Sequence, residues 1–126
     1  MKRVLVIEDN SDNLRLITYA LERSGYEVIA AETGERGIEM AKEQKPYFII
    51  MDINLPGIDG IETTRRIRQS EADVNIPIIA MTSYAMLGDR ARILAAGCNG
   101  YIEKPIDPLT VVEAISKVLE ETSAER

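Results

Sequence analysis

Three short runs of apolar residues pass without polar interruption: Val4-Leu5-Val6-Ile7, Tyr47-Phe48-Ile49-Ile50-Met51 and Ile78-Ile79-Ala80-Met81. Each is only four or five residues long and is bounded by acids, hydroxyls or proline, so each reads as a strand buried on both faces. Tyr26 to Ala31 and Gly100 to Glu103 give two weaker strands. Between the strands, apolar residues recur at helical spacing. The expected inner faces are Leu14, Ile17 and Leu21; Ile38 and Ala41; Ile61, Thr64 and Ile67; Leu87, Ala91, Leu94 and Ala95; and Leu109, Val112, Ile115 and Leu119. Asn10 or Ser11 can cap the first helix and Thr33 the second; Asp107 can cap the fifth, with Pro108 in its first turn. Gly25 and Gly97 suit helix ends, and Pro46 bars continuation of the second helix. Five strands alternating with five helices specify the α/β class: a doubly wound parallel sheet with right-handed crossovers. Residues 1–121 read as one domain and 122–126 as a frayed tail. No repeat, low-complexity tract or linker interrupts the pattern.

Composition narrows the class. The 126 residues are 45% hydrophobic and 29% charged, which suits one globular domain with a real core. A net charge of -6, with Lys and Arg scattered, argues against a nucleic-acid partner. The one cysteine, Cys98, excludes an internal disulfide, reads as a small buried hydrophobe and suits a cytoplasmic setting. Met1-Lys2-Arg3 before an apolar run superficially resembles a leader, but the run is too short and stops at two acids. No stretch approaches membrane-spanning length.

The strand ends carry the chemistry. The first strand ends in Glu8-Asp9, the third in Asp52, the fourth in Thr82, and Lys104 follows the fifth. In a parallel sheet these ends lie on one edge, where ligands of such sheets bind. Any one of these residues could be a turn or cap residue. Their regular placement instead brings three carboxylates, a hydroxyl and an ammonium together. Two carboxylates ~5 Å apart repel by roughly 3 kcal/mol at an effective dielectric near 20. Hard oxygen donors without histidine or paired cysteines suit Mg²⁺ or Mn²⁺. Beside such an ion Asp52 can serve as a nucleophile toward phosphorus, forming an acyl phosphate, with Lys104 and Thr82 supporting the phosphoryl oxygens.

Glu8-Asp9-Asn10, Asp52 followed by Leu55-Pro56-Gly57-Ile58-Asp59-Gly60, Thr82-Ser83 and Lys104-Pro105 together resemble the receiver domain of two-component response regulators. The resemblance covers essentially the whole chain and is strongest to stand-alone, chemotaxis-type receivers and to those of hybrid kinases. It implies the flavodoxin-like strand order 2-1-3-4-5 and phosphotransfer from a histidine kinase or phosphotransfer protein to Asp52. It further implies Mg²⁺ held by Glu8, Asp9, Asp52 and the main-chain carbonyl of Asn54. Thr82 and Tyr101 are implied as a switch pair, and Lys104-Pro105 as a cis peptide. Tyr84 could shield the phosphoryl group from water. The implied output is altered affinity for a downstream protein at the face made by the fourth helix, fifth strand and fifth helix, in a monomer or a phosphorylation-dependent dimer. On this reading the chain is not an enzyme but transfers a phosphoryl group to and from itself.

Three other protein classes share parts of this pattern. Flavodoxin shares the fold, but Glu8-Asp9 would repel an FMN phosphate. An Asp-nucleophile phosphatase of the haloacid dehalogenase type uses a second Asp two residues after the nucleophile; Asn54 stands there and cannot transfer a proton in that way. A receiver-like binder that is never phosphorylated would not need Asp52, Thr82 and Lys104 together. Nothing after the last helix resembles an output domain. The expectation is therefore a diffusible receiver or phosphorelay shuttle, with a receiver module of a larger kinase or phosphorelay protein as the alternative.

Overall fold

The computed structural model describes residues 1–70, 75–83 and 87–124. Its elements alternate along the chain: β1 (Arg3–Ile7), α1 (Ser11–Arg23), β2 (Glu27–Ala31), α2 (Gly34–Gln44), β3 (Phe48–Asp52), α3 (Gly60–Gln69), β4 (Ile78–Thr82), α4 (Leu87–Ala96), β5 (Gly100–Glu103) and α5 (Val111–Ala124). The five strands form one parallel sheet in the order β2-β1-β3-β4-β5. This is the doubly wound, flavodoxin-like arrangement, with the switch in strand order between β1 and β3.

Strand alternation divides the core into two layers. Leu5, Ile7, Ile49, Met51, Ile78 and Ala80 face one side, where Ala41, Ile61, Ile67 and Ile93 cover them from α2, α3 and α4. Val4, Val6, Phe48, Ile50, Ile79 and Met81 face the other side, against Ile17 and Leu21 of α1 and Val111 and Ile115 of α5. The uninterrupted apolar runs are thus strands covered on both faces. Cys98 is buried in the first layer, 3.6 Å from the Thr64 hydroxyl, and burial pushes its thiol pKa up.

The helix boundaries follow local chemistry. The Asn10 side chain accepts from Asn13 N, Thr33 from Arg36 N and Asp59 from Glu62 N, so each supplies an N-cap acceptor. Ser24 closes α1, and Gly25 follows at a positive φ of 91°. Lys45 ends α2 in the left-handed region just before Pro46. Arg68 ties α3 to the turn before β5: its Nε donates to Gly97 O at 3.0 Å and an NH2 group to Asn99 Oδ1 at 2.9 Å.

Three expectations need correction. The inner face of α4 is not Ala91, Leu94 and Ala95, which are exposed; Ile93 and Ala96 point inward instead. The side chain of Leu87 lies outside the described residues. Leu109 is not on the inner face of the fifth helix. It is 92% exposed in the Pro108 turn that leads into the regular helix at Val111, while Asp107 caps as expected, its Oδ1 accepting from Leu109 N and its main-chain O from Val111 N. Finally, α5 stays helical through Ala124, with Thr122 buried and its hydroxyl bonded to Val118 O. Tyr84 lies outside the described residues.

The corrected register of α4 has a direct check by denaturant unfolding. Ile93→Ala should cost about 2–5 kcal/mol, because it opens a cavity in a covered layer. Leu94→Ser should stay within about 0.5 kcal/mol. Equal losses would contradict the register.

Candidate functional site

All the proposed site strands end on the same edge, and main-chain bonds carry the pairing one residue past them. Glu8 N donates to Ala31 O, Ile53 N to Met81 O and Lys104 N to Thr82 O. Residues next to the last paired positions are therefore fixed as firmly as the strands. Glu8 continues β1 and is fully buried, whereas Asp9 turns outward and is exposed. Asp52 is the last residue of β3 and is buried. Thr82, the last residue of β4, is buried beside it. Lys104 reaches back from the end of β5, and the Lys104–Pro105 peptide is cis.

The side chains converge. Lys104 Nζ lies 3.0 Å from Asp52 Oδ1 and 3.5 Å from Glu8 Oε1. Oxygens of Glu8, Asp9 and Asp52 all lie within 4.8 Å of one another. Asn54, in the exposed loop after β3, donates its main-chain N–H to Asp52 Oδ1 at 3.0 Å. Asn10 N donates to Glu8 Oε2 at 3.3 Å. Tyr101 stands apart, half-buried on β5 opposite Ala80, and its hydroxyl accepts from Arg90 of α4.

Burial and proximity split the two buried acids. Burial, with the hydrogen bond and charge of Asp52, raises the Glu8 pKa from 4.5 to about 7. Burial also pushes Asp52 upward, but hydrogen bonds from Glu8, Lys104 and Asn54 N outweigh it and hold Asp52 below its usual value. Asp52 is thus kept anionic and Glu8 tends to hold a proton.

The donor set fits a hard divalent cation. Glu8 Oε1 is buried and makes no hydrogen bond, although Lys104 is within ion-pair range. An acceptor in that position gains a partner when a cation enters. The three carboxylates converge without a nitrogen or sulfur ligand, which is Mg²⁺-type chemistry. A cleft of about 350 Å³ adjoins the site, lined by Asn54, Asp59, Thr82 and Arg92 among others.

A doubly wound sheet with such a cluster at its strand ends defines an α/β protein equipped for phosphoryl chemistry on a carboxylate. The family model for the response regulator receiver domain matches residues 4–116, and the chain belongs to that family. It is 41% identical over 118 residues to the polar-differentiation response regulator DivK of Brucella ovis, covering 94% of this chain and 96% of that protein. Among solved structures, chemotaxis protein CheY4 of Vibrio cholerae superposes with a TM-score of 0.89 at 26% identity, over 94% of this chain and 98% of that one. The receiver domain of sensor histidine kinase PA1611 from Pseudomonas aeruginosa, with a magnesium ion coordinated in its active-site cleft, gives a TM-score of 0.85 at 34% identity, with the same coverage. The chain is accordingly a response regulator receiver, of the phosphoacceptor kind. No helix among the described residues is long and apolar enough to cross a membrane.

Sequence reading did not reveal Gly60 and Arg90 as neighbours of functional groups. Gly60 lies against the main chain of Asp52, and Arg90 engages Tyr101. The Gly60 position was visible as the end of the quoted turn motif, but a glycine says nothing of what it touches. For Arg90 the sequence carries no such marker.

Proposed function

We propose that Asp52 takes the phosphoryl group from a phosphohistidine on a sensor kinase or phosphotransfer protein, and that the modified chain signals by changed affinity for a downstream protein. The carrying observation is the buried, anionic Asp52 carboxylate, 3.0 Å from Lys104 and beside two further acids. Glu8, Asp9, Asp52 and the Asn54 carbonyl are the residues that would hold Mg²⁺, or Mn²⁺ in its place. The bound ion supplies positive charge against the carboxylates and the transferring oxygens.

An oxygen of Asp52 forms the new bond to phosphorus as the phosphorus–nitrogen bond of phosphohistidine breaks. The electron pair leaves with the imidazole, which takes a proton from solvent. Lys104 is held in place by its main-chain bond to Thr82 O and places its charge beside the reacting carboxylate. Thr82 can turn its hydroxyl toward a phosphoryl oxygen. Hydrolysis of the acyl phosphate resets the chain, so the cycle is self-modification rather than turnover of a free substrate. A receiver module of a larger histidine kinase is the second reading, favoured by the likeness to the PA1611 receiver. The kinetic test is a small acyl phosphate donor with Mg²⁺. A receiver accumulates one labile phosphoryl group per chain, whereas rapid multiple turnover would support a phosphatase instead.

Output follows from the Thr82–Tyr101 neighbourhood. When Thr82 turns toward the phosphoryl group, space opens beside β5, and Tyr101 can leave Arg90 and move inward. The face made by α4, β5 and α5 then changes shape. A coupling of ~3 kcal/mol alters partner affinity about 150-fold. Thr82→Ala should still accept the phosphoryl group but lose the partner response, and Tyr101→Ala should weaken it. Equilibrium binding to a partner, measured with and without phosphodonor, checks both. Wild-type dependence on phosphorylation in both variants would place the coupling elsewhere.

A further inference from the structure

We propose that Gly60 is a positioning residue for the phosphoacceptor, an inference that rests on Asp52 being that group. The chain leaves β3 at Asp52, makes a seven-residue excursion from Ile53 to Asp59 and comes back against its own starting point. A Cβ at position 60 would lie 2.3 Å from the Asp52 carbonyl oxygen and 2.7 Å from Ile53 Cα. Both are main-chain atoms, and ordinary contact between carbons needs about 3.5–4 Å.

The surroundings decide where a side chain at position 60 would send the strain. Gly60 N donates to Ile53 O at 3.0 Å, and Gly60 O accepts from the Thr64 hydroxyl at 2.8 Å. The first turn of α3 is therefore bonded on both sides of this residue. Backing away would press the first turn of α3 toward α2, which packs against Thr63 and Ile58. A Cβ at Gly34 would come within 2.2 Å of Thr63 Oγ1 and 2.6 Å of Ile58 Cγ1, so that contact has no slack. On the far side, Ile53 N is bonded to Met81 O of β4. The Asp52–Ile53 peptide is held between β4 and the start of α3. Any added atom at position 60 displaces the residue that carries the carboxylate and the loop that carries Asn54. Displacement of reacting groups by about 1 Å can cost on the order of 100-fold in rate.

The test compares phosphoryl uptake from a small acyl phosphate in the wild type, Gly60→Ala and Gly57→Ala at saturating Mg²⁺. Gly57 has φ +74° with nothing within 4 Å of its added Cβ, so its variant strains the same loop without touching Asp52. Gly60→Ala should take up the group about 10–100-fold more slowly at saturating donor, with the half-saturating donor concentration little changed. Gly57→Ala should stay within about threefold of wild type, since it moves no reacting group. A Gly60→Ala rate within that same range, or an equal loss in both variants, overturns the proposal. If Gly60→Ala does not fold, amide exchange in the wild type decides. Saturating Mg²⁺ should slow the Gly60 amide together with that of Asn54, and an unaffected Gly60 overturns the idea. A wild-type chain that takes up no phosphoryl group removes the Asp52 assignment itself, which is a different result.

Discussion

Asp52→Asn should take up no hydroxylamine-labile phosphoryl group at all, where the wild type accumulates one per chain in Mg²⁺. The amide is not a nucleophile toward phosphorus, and neither of the two neighbouring carboxylates matches the setting of Asp52. Glu8 is raised to about 7 and Asp9 is exposed, whereas Asp52 is buried, held anionic and 3.0 Å from Lys104. Removing the ammonium should do less. Lys104→Met keeps the nucleophile but loses a charge aimed at the reacting oxygens, which typically slows reaction by about 10²–10³-fold. Intact-mass measurement after incubation with a small phosphodonor reads both variants. A label of wild-type stoichiometry in Asp52→Asn would move the acceptor to another residue. Label uptake by Lys104→Met at the wild-type rate would remove the ammonium from the reaction.

Metal removal should give the fold an unusual dependence on pH. In the metal-free protein Glu8 titrates near 7, above its ordinary value of 4.5, so the folded chain binds this proton more tightly than the unfolded one. Stability from this group is complete below about 4.5 and is lost as pH rises through about 7. Asp52 acts in the opposite sense: its depressed value stabilises the fold above its ordinary 3.8, and that contribution is lost as pH falls through the lowered value. Metal-free protein should therefore be most stable on the acid side, near pH 4–5, and lose on the order of 2 kcal/mol by pH 8. Glu8→Gln removes the ionisation and should flatten the upper slope. Mg²⁺ binds the folded chain with its acids ionised and should stabilise the wild type most at the alkaline end. Urea unfolding with chelator and with Mg²⁺, at pH 5 and pH 8, measures all three effects. Higher metal-free stability at pH 8 than at pH 5 would contradict the assignment.

The strands and their ends were legible because the signal there is redundant. Val4–Ile7, Ile49–Met51 and Ile78–Met81 are apolar at every position, and runs so short with turn residues or acids at their ends read as strands covered on both faces. Once the strands are parallel, Glu8, Asp52, Thr82 and Lys104 must share an edge. The face of α4 was misread because Ala91, Ile93, Leu94, Ala95 and Ala96 offer two overlapping apolar stripes. Alanine is small enough to sit on either side, so the spacing alone does not choose. Leu109 was misplaced because it falls in the Pro108 turn, ahead of the regular helical spacing of α5. The turn carries the expected cap, with Asp107 Oδ1 accepting from Leu109 N. The different fates of Glu8 and Asp9 depend on where β1 stops alternating, which two adjacent acids do not disclose.

The contact between Lys104 and Asp52 joins residues 52 positions apart. It also makes the completed site depend on the last part of the chain. A domain generally folds as a unit. A nascent chain that ends before Lys104 already contains Glu8, Asp9 and Asp52, but not the ammonium that sits between the two buried acids. Its acid cluster carries uncompensated charge, and β4 lacks the neighbour whose Lys104 N–H bonds Thr82 O. The carboxylates thus come from the first half of the chain, and the last strand both closes the sheet and leads to their counter-charge. Topology in this way ties the charge balance of the site to the docking of the final strand.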